Sequence, residues 1–375
     1  MNKIQEILFY ILGRVVQDSS LEAERFVGLN QDDWEELYSL AKSQGVTAVL
    51  FDKLSNSFTE NENFPKPPKK ITLKWYAQSM SIERKMGVLH HRSAEFAELM
   101  ARNGLNTLVL KGVAVSTYYP NPLHREFGDL DCYLFEGAAD NPVWDNGYEK
   151  GNVAAEEDGC VVKRGYYKHS HIIYNGMEIE NHQFSLAIRD GKETRELEKH
   201  LRSVVLPVQQ KDDTKLLMPS ANFNALFLTA HAMSHFLYES IKLRHVLDWA
   251  LFLKAEKKNI DWNAFWMWCD KMHYTRFVEC LNYICEENLG VQLNVPPFKN
   301  MVSYNKKVEL SKRIAQDFFS DESIYTKGYG WLRFRIALSM SYFKSLWKFQ
   351  QIYQRNAMWL LLKRAWGMTK TEVKL

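Results

Sequence analysis

Three things are scarce in this chain, and each scarcity closes off a class of protein. Cysteine is the first: Cys132, Cys160, Cys269, Cys280 and Cys285 are the five present in 375 residues, an odd number with no C-x-x-C pair. That pattern fits a reducing compartment and argues against both a disulfide framework and a zinc knuckle. Long apolar runs are the second, and no transmembrane helix is expected. Charge excess is the third. Lys plus Arg 48 against Asp plus Glu 45 leaves a net +3, too mild to argue by itself for nucleic acid or a membrane surface. Internal repeats and low-complexity segments are also missing.

What is present is globular. An apolar share of 46% with 25% charged residues argues against global disorder, and the length allows one large domain or two to three smaller ones. The opening MNKIQEILFYILGRVVQD has a short apolar run like the core of a secretion signal. Glu6 sits inside it and no small-residue cleavage site follows, so it reads as a first helix. The expectation is a cytoplasmic protein with no membrane partner.

The pattern along the chain changes twice. LNQDDWEELYSLAKSQGV opens on an Asn/Asp-rich cap and spaces Trp34, Leu37, Leu40 and Ala41 on one helical face. NSFTENENFPKPPKK (56–70) has no periodicity and reads as a loop, and a long helix then runs from Thr72 to a stop at Asn103-Gly104. NTLVLKG and DLDCYLF are strand-like. So are two or three runs in CVVKRGYYKHSHIIYNGMEIENHQFSLAI, broken at Arg164-Gly165 and at the hairpin signal Asn175-Gly176. Helical pattern resumes after Lys192 and is clearest in NFNALFLTAHAMSHFLYESIKLRHVLDWALFLKAEK. The basic, aromatic stretch from Ser345 to the C-terminus reads as a packed amphipathic helix with solvated Lys and Arg. The fold class predicted is α+β: a small mixed β-sheet core over residues 90–205, between a helical region at 1–89 and a helical domain at 206–375.

Within the core, LVLKGVAVSTYYPNPLHREFGDLDCYLF (108–135) carries the chemistry. On a strand, Asp129, Asp131 and Tyr133 share one face while Leu130, Cys132 and Leu134 turn to the core. The two carboxylates then stand about 6–7 Å apart along the strand, a spacing that suits a hard cation such as Mg²⁺. MEIENHQF sets Glu178, Glu180 and His182 on one face of a later strand, where a third carboxylate would complete a metal cluster or accept a hydroxyl proton. The Lys111-Gly112 turn would let backbone approach a phosphate, with N–H groups of the following helix and the Lys111 charge beside it.

These elements, in this order, resemble the uncharacterised nucleotidyltransferase family of the DNA polymerase β-like superfamily. The matching residues are Lys111-Gly112, Tyr119-Pro120, Arg125, Asp129-x-Asp131, Glu180-x-His182, and then His231, His235, Arg244 and Asp248 in HAMSHFLYESIKLRHVLD. The likeness spans roughly residues 30–255. It departs from the superfamily in having Lys111-Gly112-Val113 where Gly-Ser is usual and Gln183 where an aromatic often follows the histidine.

The resemblance implies a nucleotidyltransferase core that moves a nucleoside monophosphate from an NTP to an acceptor hydroxyl, with Mg²⁺ or Mn²⁺ as cofactor. Asp129, Asp131 and Glu180 would be the catalytic metal ligands, and Lys111, Gly112, Arg125 and His182 would bind the nucleotide. The acceptor stays open among a protein, a small molecule, a sugar and an RNA end, and oligomeric state is not legible. Two other classes compete: a catalytically silent adaptor keeping the fold, and a glycosyltransferase using Asp-x-Asp on a nucleotide sugar. His231 and His235, four apart without H-E-x-x-H, read as structural. Arg244 and Asp248 read as an ion pair, with an inter-element contact that fixes the helical domain on the core favoured for them. His169 and His171 read equally as cleft-lining or edge-exposed residues.

Overall fold

The helix ends near the N-terminus follow from side chains that supply missing backbone partners. In the computed structural model, residues 1–375 are described except 145, 166, 188–190, 207–208, 211–212, 239–240, 299–301, 321–343 and 356–375. Helix α1 (Lys3–Gln17) is capped by Asn2, whose carboxamide accepts from the Gln5 amide while Gln5 accepts from the Asn2 amide. Helix α2 (Gln31–Ser43) repeats the device with Asn30 and Asp33, and buries Trp34, Leu37 and Ala41 as their spacing predicts. Helix α3 (Thr47–Glu60) runs beyond the expected loop start at Asn56. The Ser57 and Thr59 hydroxyls bond back to the Lys53 and Ser55 carbonyls, so a polar stretch stays helical. Helix α4 (Lys69–Arg102) ends where Leu105 donates to the Met100 carbonyl and Gly104 to that of Ala101. Gly104 takes the left-handed φ of +73° that this stop requires.

A mixed sheet follows. Strand β1 (Asn106–Val109) leads through the single-turn helix α5 (Val113–Ser116) to β2 (Asp129–Ala138), on whose far end β3 (Asn141–Val143) folds back. Helix α6 (Gly147–Glu157) comes next, then β4 (Val161–Lys163), β5 (His169–Tyr174) and β6 (Met177–His182). After α7 (Lys192–Ser203), the short strands β7 (Gln209–Gln210) and β8 (Leu216–Met218) complete the order β4-β5-β6-β2-β1-β8-β7. The pairs β2·β6 and β1·β8 are parallel and the others antiparallel. The sheet thus takes a strand from beyond residue 205, and α4 runs unbroken across residues 89 and 90. Asn175 and Gly176, at φ +48° and +77°, make the tight turn between β5 and β6.

The two sheet faces have different covers. Leu130, Cys132, Leu134, Ile172 and Ile179 pack with Met86, Leu89 and Phe96 of α4 and with Ala154 and Ala155 of α6. Tyr133 and Phe135 belong instead to the larger core built with the N-terminal and C-terminal helices. Those C-terminal helices are α8 (Ala221–Tyr238), α9 (Leu243–Glu256), α10 (Trp262–Lys271), α11 (Thr275–Glu287) and α12 (Tyr304–Asp317). A further turn, Lys348–Tyr353, docks through Lys348 on Asp317 at 2.6 Å; residues 356–375 of the basic aromatic stretch lie outside the described residues. Among the described residues no helix is long and apolar enough to cross a membrane.

Candidate functional site

Strand alternation and register together build the site. Asp129 and Asp131 project from β2 on the face opposite Leu130 and Cys132, and the parallel register sets Asp129 beside Glu178 and Asp131 beside Glu180. The antiparallel β5·β6 pair adds His171 beside Glu180 and His169 beside His182. One sheet face therefore carries Asp131, Glu180 and His171 in a row across three strands.

Asp131 is the buried centre of this group, at 2% exposure. Its Oδ1 meets Lys111 Nζ at 3.0 Å and accepts from His182 Nε2 at 3.1 Å, while its buried Oδ2 has no hydrogen-bond partner among the described residues. Burial works against the charge on Asp131. Lys111 and then His182 outweigh it, holding the carboxyl well below the usual range. For Asp129 burial and repulsion from Asp131 dominate, so its pKa is raised. The pair is thus split: one carboxylate firmly ionised, the other closer to taking a proton.

His182 is also buried. Its Nδ1 donates to the Phe184 carbonyl at 3.0 Å and its Nε2 faces Asp131, with Glu180 Oε2 3.3 Å away. Both ring nitrogens face oxygens, which only the imidazolium satisfies. Burial alone would lower the pKa of His182, but Asp131 and Glu180 raise it. Lys111 behaves likewise: desolvation opposes its charge, and Asp131 followed by Asp129 raises its pKa. Its neighbour Gly112 sits at φ +53°, ψ −103°, a conformation that favours glycine. The helix that follows is one turn long, so the expected dipole contribution is slight and the turn offers its backbone N–H groups instead.

Arg125, which the resemblance assigns to the nucleotide, makes side-chain bonds within the protein. Its guanidinium lies against Asp248 of α9, with Nη2 at 2.8 Å from Oδ2 and Nε at 3.3 Å from Oδ1, and the Tyr119 hydroxyl donates to the same carboxylate at 2.7 Å. Asp248 thus finds its bonded partner across the fold in Arg125. Arg244 donates to the Glu126 carbonyl at 3.0 Å. Sequence spacing could not reveal the Arg125 pairing, because its residues are 123 positions apart.

Two further features were not foreseen. Glu198 on α7 is buried and accepts from the Tyr133 hydroxyl, the Ser185 amide and hydroxyl, and the Leu186 amide. It anchors the segment that leaves β6. His231, His235 and His245 cluster on α8 and α9, with one ligand atom from each within 4.8 Å of the others. His231 and His245 both have pKa values well below ordinary, first because they are buried.

Chemically, the group can hold a divalent cation. Asp131 and Glu180 present carboxylate oxygens within 4.8 Å of each other, beside the His182 ring, and the orphaned Oδ2 of Asp131 is a buried acceptor. Asp129 stands outside that trio, further back along β2. A cleft elsewhere, lined by Val16, Leu253, Val291 and Leu293, contains none of these residues, so charge and register rather than concavity mark the site.

Among curated proteins and among solved structures, nothing matches the chain. A family model described as uncharacterised nucleotidyltransferase matches residues 30–290, a span that contains the whole sheet and every residue of the carboxylate cluster. The chain belongs to this uncharacterised nucleotidyltransferase family.

Proposed function

We propose that the chain is a Mg²⁺-dependent nucleotidyltransferase that moves a nucleoside monophosphate from an NTP to an acceptor hydroxyl. The observation that carries this reading is the in-register juxtaposition of Asp131 with Glu180, beside a buried carboxylate oxygen that has no partner among the described residues. Asp129, Asp131 and Glu180 would hold the ion, with His182 at its edge. When bound, Mg²⁺ supplies charge neutralisation for the triphosphate and its leaving group.

In this reading the acceptor oxygen forms a bond to the α-phosphorus, the bond from that phosphorus to the β-phosphate oxygen breaks, and pyrophosphate leaves. Lys111 turns from Asp131 toward the triphosphate, and the backbone at Gly112 lies against it. Glu180, half-buried at the rim, completes the cluster or takes the proton of the acceptor hydroxyl. Arg125 is a positioning residue that ties the segment before β2 to α9.

The test incubates the protein with labelled NTPs, Mg²⁺ or Mn²⁺ and a lysate as acceptor source, beside Asp129→Asn and Asp131→Asn. Label transfer that disappears in both variants supports the reading. Transfer undiminished in the variants, or no metal-dependent NTP binding by the wild type, sinks it and leaves a binding protein with a nucleotidyltransferase fold.

A further inference from the structure

Strand β5 brings two histidines to the carboxylate face that nucleotidyl transfer leaves unused. His171 stands opposite Glu180 and His169 opposite His182, and one ligand atom each from His169, His171 and Glu180 lies within 4.8 Å of the others. The two imidazoles meet edge to face with centroids 4.7 Å apart. His169 Nδ1 is 3.5 Å from Glu180 Oε2, longer than an ordinary N–H···O bond. That distance is close to the roughly 3.4 Å between two ligands each about 2.0–2.1 Å from one tetrahedral ion.

Glu178 supplies the second observation. Its exposed carboxylate accepts from His171 Nδ1 at 2.6 Å, which leaves Nε2 of that ring with the lone pair. A carboxylate fixing the tautomer of an imidazole is how metal-binding histidines are commonly oriented. In the other histidine triad, His245 Nδ1 accepts the Lys242 amide as a helix cap, which puts the proton on Nε2, and Phe227 stacks on His231.

We propose that His169, His171 and Glu180 bind a first-row transition-metal ion of the Zn²⁺ type, with Glu178 orienting His171. Imidazole ligands suit such an ion, whereas Mg²⁺ prefers the all-oxygen side formed by the aspartates. Glu180 belongs to both groups and lies between the two positions. The new site shares that residue with the nucleotidyl site but does not require transfer activity.

The experiment titrates the EDTA-treated full-length chain with Co²⁺ in excess Mg²⁺, reading the visible d–d bands of a nitrogen-containing site, and then adds Zn²⁺ as competitor. One equivalent of Co²⁺ should bind, be displaced by Zn²⁺ and resist Mg²⁺. His169→Ala and His171→Ala should abolish the bands, and Asp129→Asn should leave them in place. Glu178→Gln, on an exposed side chain and safe for folding, should weaken Co²⁺ binding by about 10–100-fold. No bands in the wild type, bands undiminished in His171→Ala, or unchanged affinity in Glu178→Gln would each overturn the proposal. Mg²⁺-dependent transfer that survives while the Co²⁺ site is missing counts against this inference alone. A Co²⁺ site in a protein without transfer activity supports it and counts against the nucleotidyl reading alone.

Discussion

Asp248 on α9 grips Arg125, just upstream of β2, with both carboxylate oxygens, at 3.3 Å from Nε and 2.8 Å from Nη2. The pair is buried, its arginine 7% and its aspartate 5% exposed, and it joins the C-terminal helices to the segment that delivers Asp129 and Asp131. Removing one partner leaves an uncompensated charge in the interior. Asp248→Ala should therefore lower stability by about 3–5 kcal/mol, read from urea unfolding. Arg125→Met/Asp248→Leu together should lose less than the two single changes added. A single-variant loss within about 0.5 kcal/mol of zero would show that the pair is not structural.

The carboxylates should separate by role. Asp131→Asn removes the charge that holds Lys111 and His182, so it should both abolish transfer and lower the pKa of His182, visible by NMR titration of its ring. Asp129→Asn should reduce transfer by about 100-fold or more while leaving the Lys111–Asp131 contact intact. Equal effects of the two changes on the His182 titration would contradict the geometry.

Glu198 accepts from five donors, in Tyr133, Ser185 (twice), Leu186 and Arg202. Glu198→Ala strands them in the interior, at roughly 1–3 kcal/mol for each group left unpaired. Because water can re-enter, the net loss should be about 3 kcal/mol or more, with Glu198→Gln milder. Thermal melts of the two variants decide it: an alanine variant as stable as the glutamine one removes the proposed anchoring.

Acid should destabilise the protein through its buried histidines. His245 and His231 are kept neutral by burial, so their folded pKa values lie below the unfolded value near 6.5. Their contribution is fully present above that pH and is lost as the pH falls toward the folded values, because the unfolded chain then binds more protons. His182 runs the other way. Its pKa is raised, so its contribution is full below about pH 6.5 and fades as pH rises through the folded value. Melting temperatures from about pH 7.5 down to about pH 5 should fall, and His245→Asn should flatten the slope. A slope unchanged by that substitution would assign the acid sensitivity elsewhere.

Much of the site was legible because it is written in local patterns. Strand alternation alone puts Asp129 and Asp131 on one face and Leu130 and Cys132 on the other, and Asn175-Gly176 announces the hairpin that carries Glu180. What stayed hidden depends on distant partners. Nothing near Arg125 signals Asp248, and nothing in the charged stretch KETRELEKHLRS marks Glu198 as buried. Helix α6, which the sequence patterns do not single out, carries two glycines on its packed face. They are there for contact: a Cβ on Gly147 would stand 2.0 Å from the Leu134 carbonyl oxygen, and one on Gly151 would stand 2.1 Å from Leu134 Cδ1. The strand β8 was too short to show a period at all.

The parallel joint between β2 and β6 also sets when the site can exist during folding. Its hairpin half, from His169 to His182, is local and needs only the turn at Asn175-Gly176 to form. Asp131 must meet Glu180 across 48 residues of intervening chain, α6 among them, with no tight turn to guide the match. A slip of one residue at that joint would turn Glu180 and both histidines of β5 toward Met86 and Phe96, the apolar side. The oily underside of the sheet is thus the proofreader of its charged upper side: only the register that hides Ile172 and Ile179 lets the acidic and imidazole groups assemble.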